Sequence, residues 1–124
     1  MIIRSLTDVT PVEWGSGLSR RLLLESDGMG FTLCDTTVRP GTTSDMEYRQ
    51  HLEAVYCLEG RGRLIDSDGQ EHDVLPGVMY ALDRNDPHRL VADPVEGMRV
   101  VCVFNPPLRG AERHDFESAG FSAY

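Results

Sequence analysis

The stretch QHLEAVYCLEG, residues 50–60, sets an acid inside an apolar run. From Leu52 to Leu58 it reads as a strand packed on both faces, yet Glu53 puts a carboxylate in the middle. Unpaired, such a group loses several kcal/mol of hydration, and it persists there by pairing, by protonating or by binding a metal. Taken alone, the default is a salt bridge to Arg63 or Arg99. Strand alternation sends His51, Glu53, Val55 and Cys57 to one face and Leu52, Ala54, Tyr56 and Leu58 to the other. If the Glu53 face looks into a barrel, an apolar-walled pocket with a few polar groups follows, which is the usual make-up of a small-molecule site.

The elements that must position this face are short. Runs of β-type residues alternate with turn clusters such as SDGMG, RPGTTSD, EGRG, DSDGQ, LPG, DRNDP and DPVEG. The pattern predicts an all-β sandwich or barrel with strands over residues 20–24, 30–38, 53–58, 62–66, 71–75, 77–82, 88–92 and 98–104. In the last of these, Val100, Cys102 and Phe104 share a face. Helix signals are weak; TDVTPVEW allows one turn with Thr10 as cap and Pro11 in the first position. From Arg109 to Tyr124 the chain is polar and rich in small residues, a loose tail or a lid rather than core.

Composition bounds the function. The 124 residues suit one domain, residues 1–124, with one site. A formal charge of −8 argues against nucleic acid or an anionic membrane as partner, since both reward cationic side chains. No apolar run approaches the roughly 18 residues of a membrane span, and the N-terminus has no signal-peptide pattern, so a cytoplasmic protein is expected. Cys34, Cys57 and Cys102 lie in apolar runs without CxxC spacing, as buried free thiols in a reducing compartment do.

Two segments carry the spacing of the cupin superfamily: Gly41, Glu47, Arg49, Glu53 and Gly60 fall at the intervals of its first motif, with arginine and glutamate where the two histidines stand. Tyr80, three residues after Gly77 in LPGVMYALD, takes the place of the second motif's histidine. The strings DGMGF, HLEAVYC, PGVMYALD and VCVFNPPL, in this order, resemble the ectoine synthase family over about residues 2–115. That resemblance implies a cupin-type β-barrel or jelly-roll sandwich. It also implies an iron ion held by a carboxylate, a phenol and an imidazole: Glu53, Tyr80 and His88. Without it, Tyr80 reads as a core tyrosine and His88, following NDP, as a surface residue. The resemblance maps substrate contacts onto Thr36, Tyr48, His51, Phe104 and Glu112, with Trp14 near the mouth and Cys102 in the pocket wall. The chain departs from the family's pattern at Glu47 and Gln50, where an aromatic residue and an amide are usual.

The implied reaction closes N-γ-acetyl-L-2,4-diaminobutyrate to the cyclic amidine ectoine with loss of water. One oxygen-rich donor set with a single nitrogen suits Fe(II), Zn(II) or Mn(II). Tyr48, His51 and Glu112 are the candidate acid and base groups, and the family suggests a homodimer. Two alternatives stand beside this reading: a relative acting on another acylated diamino acid, and a cupin that binds a small zwitterion without turnover.

Overall fold

The structure, a computed structural model, describes residues 1–117 and 120–124. Two sheets face each other. One has six strands in the order β1 (Val12–Glu13), β2 (Leu18–Leu23), β3 (Thr32–Val38), β10 (Met98–Asn105), β5 (Leu52–Gly60) and β8 (Met79–Leu82). The other has five, β11 (Ser122–Ala123), β4 (Thr43–Glu47), β9 (His88–Ala92), β6 (Gly62–Ile65) and β7 (Glu71–Val74). All pairings are antiparallel except that of β11 with β4. The predicted strands are all present, with ends shifted by a residue or two.

Alternation decides what lies between the sheets. Met98, Val100, Cys102 and Phe104 of β10 are buried while the residues between them are not. On β5, Glu53, Val55 and Cys57 point inward. The packing of β5 on both faces is not observed: Leu52, Tyr56 and Leu58 are 43%, 46% and 38% exposed, because no further layer covers the outer side of this sheet. The inward phase ends at a bulge where β10 passes from Arg99 to Val100, and Leu58 and Glu59 both face solvent. Just beyond, Gly60 has φ +75° and its missing Cβ would sit 2.0 Å from the Gly97 carbonyl oxygen, so only glycine lets the two chains approach this closely.

Three parts of the chain differ from the sequence expectation. The helical turn falls earlier, a 3-10 turn at Leu6–Asp8 in which the Asp8 carboxylate accepts the Ser5 N–H at 2.7 Å, and Val12 and Glu13 pair with β2 instead. The end of the expected turn cluster RPGTTSD belongs to strand β4, TSDME, whose polar outer residues hide its pattern while Ser44 and Met46 point inward.

The tail is the third difference. It is docked rather than loose, although Ser118 and Ala119 lie outside the described residues. His114 is 1% exposed, Ser122 and Ala123 pair with Met46 and Glu47, and the buried Arg21 guanidinium donates to the carbonyls of Gly110 and Glu112. His114 Nδ1 meets the Ser122 hydroxyl at 3.0 Å, and Nε2 meets the Tyr48 hydroxyl at 3.1 Å.

Burial drives the His114 pKa down to about 3, with the nearby His88 and Arg21 acting in the same direction and Ser122 opposing. The folded value lies below the unfolded one, so the unfolded chain takes up the proton first. Stability is therefore full above about pH 6.5 and falls as the pH drops from there toward 3. Between pH 7 and pH 5 the loss from His114 is about 2 kcal/mol. Urea unfolding of the wild type and His114→Gln at both pH values checks this: the acid-induced loss should shrink by about that amount in the variant, and equal losses reject it.

Candidate functional site

Three inward side chains from three strands meet between the sheets at one end of the sandwich. Glu53 lies opposite Phe104 of β10 on one side and Leu82 of β8 on the other. Tyr80 lies opposite Val55, and His88 at the start of β9 faces them from the second sheet, its ring centroid 6.5 Å from that of Tyr80. The salt-bridge reading of Glu53 does not hold: Arg63 pairs with Glu71, and Arg99 with Asp35 and Glu59. Desolvation raises the Glu53 pKa to about 8, and the Cys102 thiol pulls it down only in part. Burial likewise pushes the Tyr80 phenol well above its usual value, and the neighbouring Glu53 charge pushes it further.

His88 supplies the most specific observation. Its Nδ1–H donates to the Asp86 carbonyl at 2.9 Å, which leaves the Nε2 lone pair free. That Nε2 is buried and has no hydrogen-bond partner among the described residues. A backbone-anchored imidazole with a bare inner nitrogen is the arrangement of a metal-ligating histidine. Among the described residues no three His, Cys, Asp or Glu side chains converge on a cation site, so the fit depends on the Tyr80 phenol as third donor. The residues present do fit a dication: each would lose a proton or gain a partner on binding, relieving the strain of its burial.

The candidate substrate residues ring this trio. The Cys102 thiol reaches Thr36 Oγ1 at 3.9 Å and Thr36 reaches Ser19 at 3.4 Å, forming one wall. Tyr48 packs edge-on to Phe104 at 5.1 Å and tilted against His88 at 6.1 Å. His51, just before β5, hydrogen-bonds the Pro106 carbonyl at 2.7 Å and sits edge-on to Phe104. An open cavity of about 860 Å³ lies outside, bordered by His51, Glu112, Arg109, Pro106 and Tyr124.

Two expected residues are engaged with the protein's own groups. Trp14 is buried under the tail, donating to the Thr37 carbonyl and touching His114 and Phe116 edge-on, rather than lining the mouth. The Glu112 carboxylate accepts the N–H groups of Arg109 and Gly110, both at 2.8 Å. Burial pushes its pKa up, but these bonds and Arg21 hold it below the usual value. Such a carboxylate organises its loop better than it accepts a proton.

Sequence reasoning missed His114, Tyr124 and Arg21. All three enter the site from the tail or against it. Arg21 had a readable signal, since in the pair Arg20–Arg21 one side chain of a strand must turn inward. The side chain that does so is buried with its Nε unpartnered. Nothing in the sequence marks His114, because its burial depends on the tail folding back.

Comparison with known proteins identifies the family. The family model for ectoine synthase matches residues 1–123. The chain is 48% identical over 126 aligned positions to the L-ectoine synthase of Desulfatibacillum aliphaticivorans, covering 96% of this chain and 95% of that one. The crystal structure of ectoine synthase from P. lautus superposes with a TM-score of 0.83 at 45% identity, over 89% of this chain and 81% of that one. A sugar phosphate isomerase of the cupin superfamily from Silicibacter pomeroyi, 21% identical with a TM-score of 0.68 over 84% and 75% of the two chains, shares the fold alone. With a cupin sandwich and a match that spans nearly every residue, the chain belongs to the ectoine synthase family.

Proposed function

We propose that this protein is a hydro-lyase that closes N-γ-acetyl-L-2,4-diaminobutyrate to ectoine, a compatible solute used under osmotic stress, within one cupin domain spanning residues 1–124. The family match supports the reaction, and the bare, buried His88 Nε2 beside Glu53 and Tyr80 is the observation that carries the site. Glu53, Tyr80 and His88 would hold Fe(II), the ion brought by the family resemblance; Zn(II) or Mn(II) suits the same donors. When bound, such an ion polarises the amide carbonyl and stabilises the charge that builds on its oxygen.

The chain's own residues do the rest. Both reacting groups belong to one molecule, so the pocket must hold it bent, with the amine facing the amide carbon. Phe104, Cys102 and Tyr48 give an apolar wall of fixed shape for that conformer. Tyr48 is positioned by His114 and kept a neutral phenol by burial, with the Glu53 charge reinforcing it, so it can give a hydrogen bond to developing negative charge. His51, tethered to Pro106, is the candidate base nearest the open cavity. Incubation with N-γ-acetyl-L-2,4-diaminobutyrate, followed by NMR, should give ectoine; a metal-loaded protein that leaves the substrate intact rejects the reading.

Removing a ligand should separate metal binding from folding. Glu53→Ala and His88→Ala should each lower metal content by an order of magnitude or more, read by elemental analysis. Glu53→Ala should also melt no lower than the metal-free wild type, because it removes a buried, unpaired acid. Normal metal content in both variants rejects the trio.

We infer a homodimer and a cytoplasmic setting. Leu52, Tyr56, Leu58 and Met79 are exposed on or beside the outer face of the six-stranded sheet, an apolar surface suited to a second copy. Cys34, Cys57 and Cys102 are free thiols, as in a reducing compartment. Among the described residues no helix is long and apolar enough to cross a membrane. Light scattering at micromolar concentration should return twice the chain mass, and a monomer rejects the dimer.

A further inference from the structure

Tyr124 reaches the centre of the site from the end of β11. Its ring lies 4.3 Å from that of His114, 5.0 Å from Tyr48 and 6.3 Å from Phe104. Burial, and with it the charge of Glu53, holds both phenols neutral. Tyr124 also borders the open cavity lined by His51 and Glu112.

Hydrogen bonds hold its neighbours in place. The Ser122 hydroxyl accepts the Asp115 N–H at 2.8 Å and meets His114 Nδ1 at 3.0 Å. His114 Nε2 in turn meets the Tyr48 hydroxyl at 3.1 Å. Of the group Ser122, His114, Tyr48 and Tyr124, it is Tyr124 that borders the open cavity. Burial raises the Tyr124 pKa well above the usual phenol value. Such a phenol stays neutral until it meets an oxygen that is becoming an alkoxide.

We propose that Tyr124 is a catalytic residue of this site, whose phenolic O–H protonates the amide-derived oxygen as it departs. This rests on the cyclising reaction proposed above. In that reaction one C–N bond forms, one C–O bond breaks, and two protons move from the ammonium nitrogen to the oxygen that leaves as water. No oxidant or reductant takes part. Tyr124 gives its own proton to the departing oxygen; of the two protons the nitrogen releases, one reaches that oxygen by way of the base and the other restores the Tyr124 phenol, which ends as it began.

The test compares Tyr124→Phe and Tyr124→Ala with the wild type in steady-state turnover, with thermal melting as the folding control. Tyr124→Phe keeps the ring that packs on His114 and removes only the hydroxyl. It should lower kcat by about a hundredfold, in the range of a lost general acid, and leave KM within about twofold. Tyr124→Ala should lower kcat similarly and also raise KM, since the mouth loses a wall. A Tyr124→Phe enzyme with wild-type kcat overturns the proposal, as does a loss in KM alone. Wild-type turnover is read first: if the wild type makes no product, both this inference and the parent reading fall, whereas active wild type with an equally active Tyr124→Phe variant removes this inference alone.

Discussion

The burial of Glu53 without a counter-charge is the constraint around which the sandwich is arranged. A carboxylate between two paired strands loses its water and gains only a thiol in return. Folding alone would favour a one-residue slip of β5, which would send Glu53 to solvent and bring Leu52, Ala54 and Tyr56 inside. The slip is blocked at both ends of the strand. At one end Gly60 meets Gly97 so closely that no other residue fits, and the bulge at Arg99 and Val100 fixes the register from there. At the other, His51 is tied to Pro106. Local geometry thus holds an acid where its own hydration energy would not.

The same logic extends to its neighbours. Between the sheets, next to a core of Val55, Leu90, Ala92 and Val100, lie Thr32, Thr36, Ser19, Arg21, His88 and His114, all buried. Apolar replacements would pack this end at least as well. Most of these groups have partners: Thr32 accepts the Leu108 N–H, Ser19 and Thr36 bond each other, and His114 bridges Ser122 and Tyr48. The buried atoms without partners are Arg21 Nε and His88 Nε2 among the described residues. An unsatisfied pair of this kind marks where the structure has been kept open for something other than itself.

Strands that obey period 2 were readable from the sequence; those that break it were not. β10 alternates along its length, and the sharing of a face by Val100, Cys102 and Phe104 follows from the pattern alone. β4 escaped because Thr43, Asp45 and Glu47 fill its outer positions, so that TSDME carries the composition of a turn while Ser44 and Met46 point in. On β5 the apolar outer face misled, since exposure there depends on whether a second layer exists, which no local pattern encodes. The site divides the same way. Glu53 was conspicuous because it violated its surroundings, and Tyr80 and His88 acquired meaning only from family spacing. His114 and Tyr124 needed the tail to fold back onto β4 and Tyr48, a contact of high sequence separation that leaves no trace in periodicity.

The positions where this chain departs from its family can now be placed. Along β4 the alternation that turns Met46 and Tyr48 inward turns Glu47 outward, where its carboxylate accepts both donors of Arg49. Glu47 therefore cannot touch a molecule held against Tyr48 and Phe104. Gln50 is exposed and borders the outer cavity with Arg49 and His51. Neither change reaches the trio or the wall formed by Thr36, Cys102 and Phe104. Gln50 alters the rim of the outer cavity, which also carries the guanidinium groups of Arg49 and Arg109. A rim of that kind acts on the encounter of a carboxylate-bearing solute more than on the geometry of ring closure, because the charges are solvent-facing and the reacting atoms lie deeper. The inner surfaces are built from Glu53, Tyr80, His88, Thr36, Cys102 and Phe104, so the acid that seemed out of place in QHLEAVYCLEG lies inside that wall and away from the altered rim.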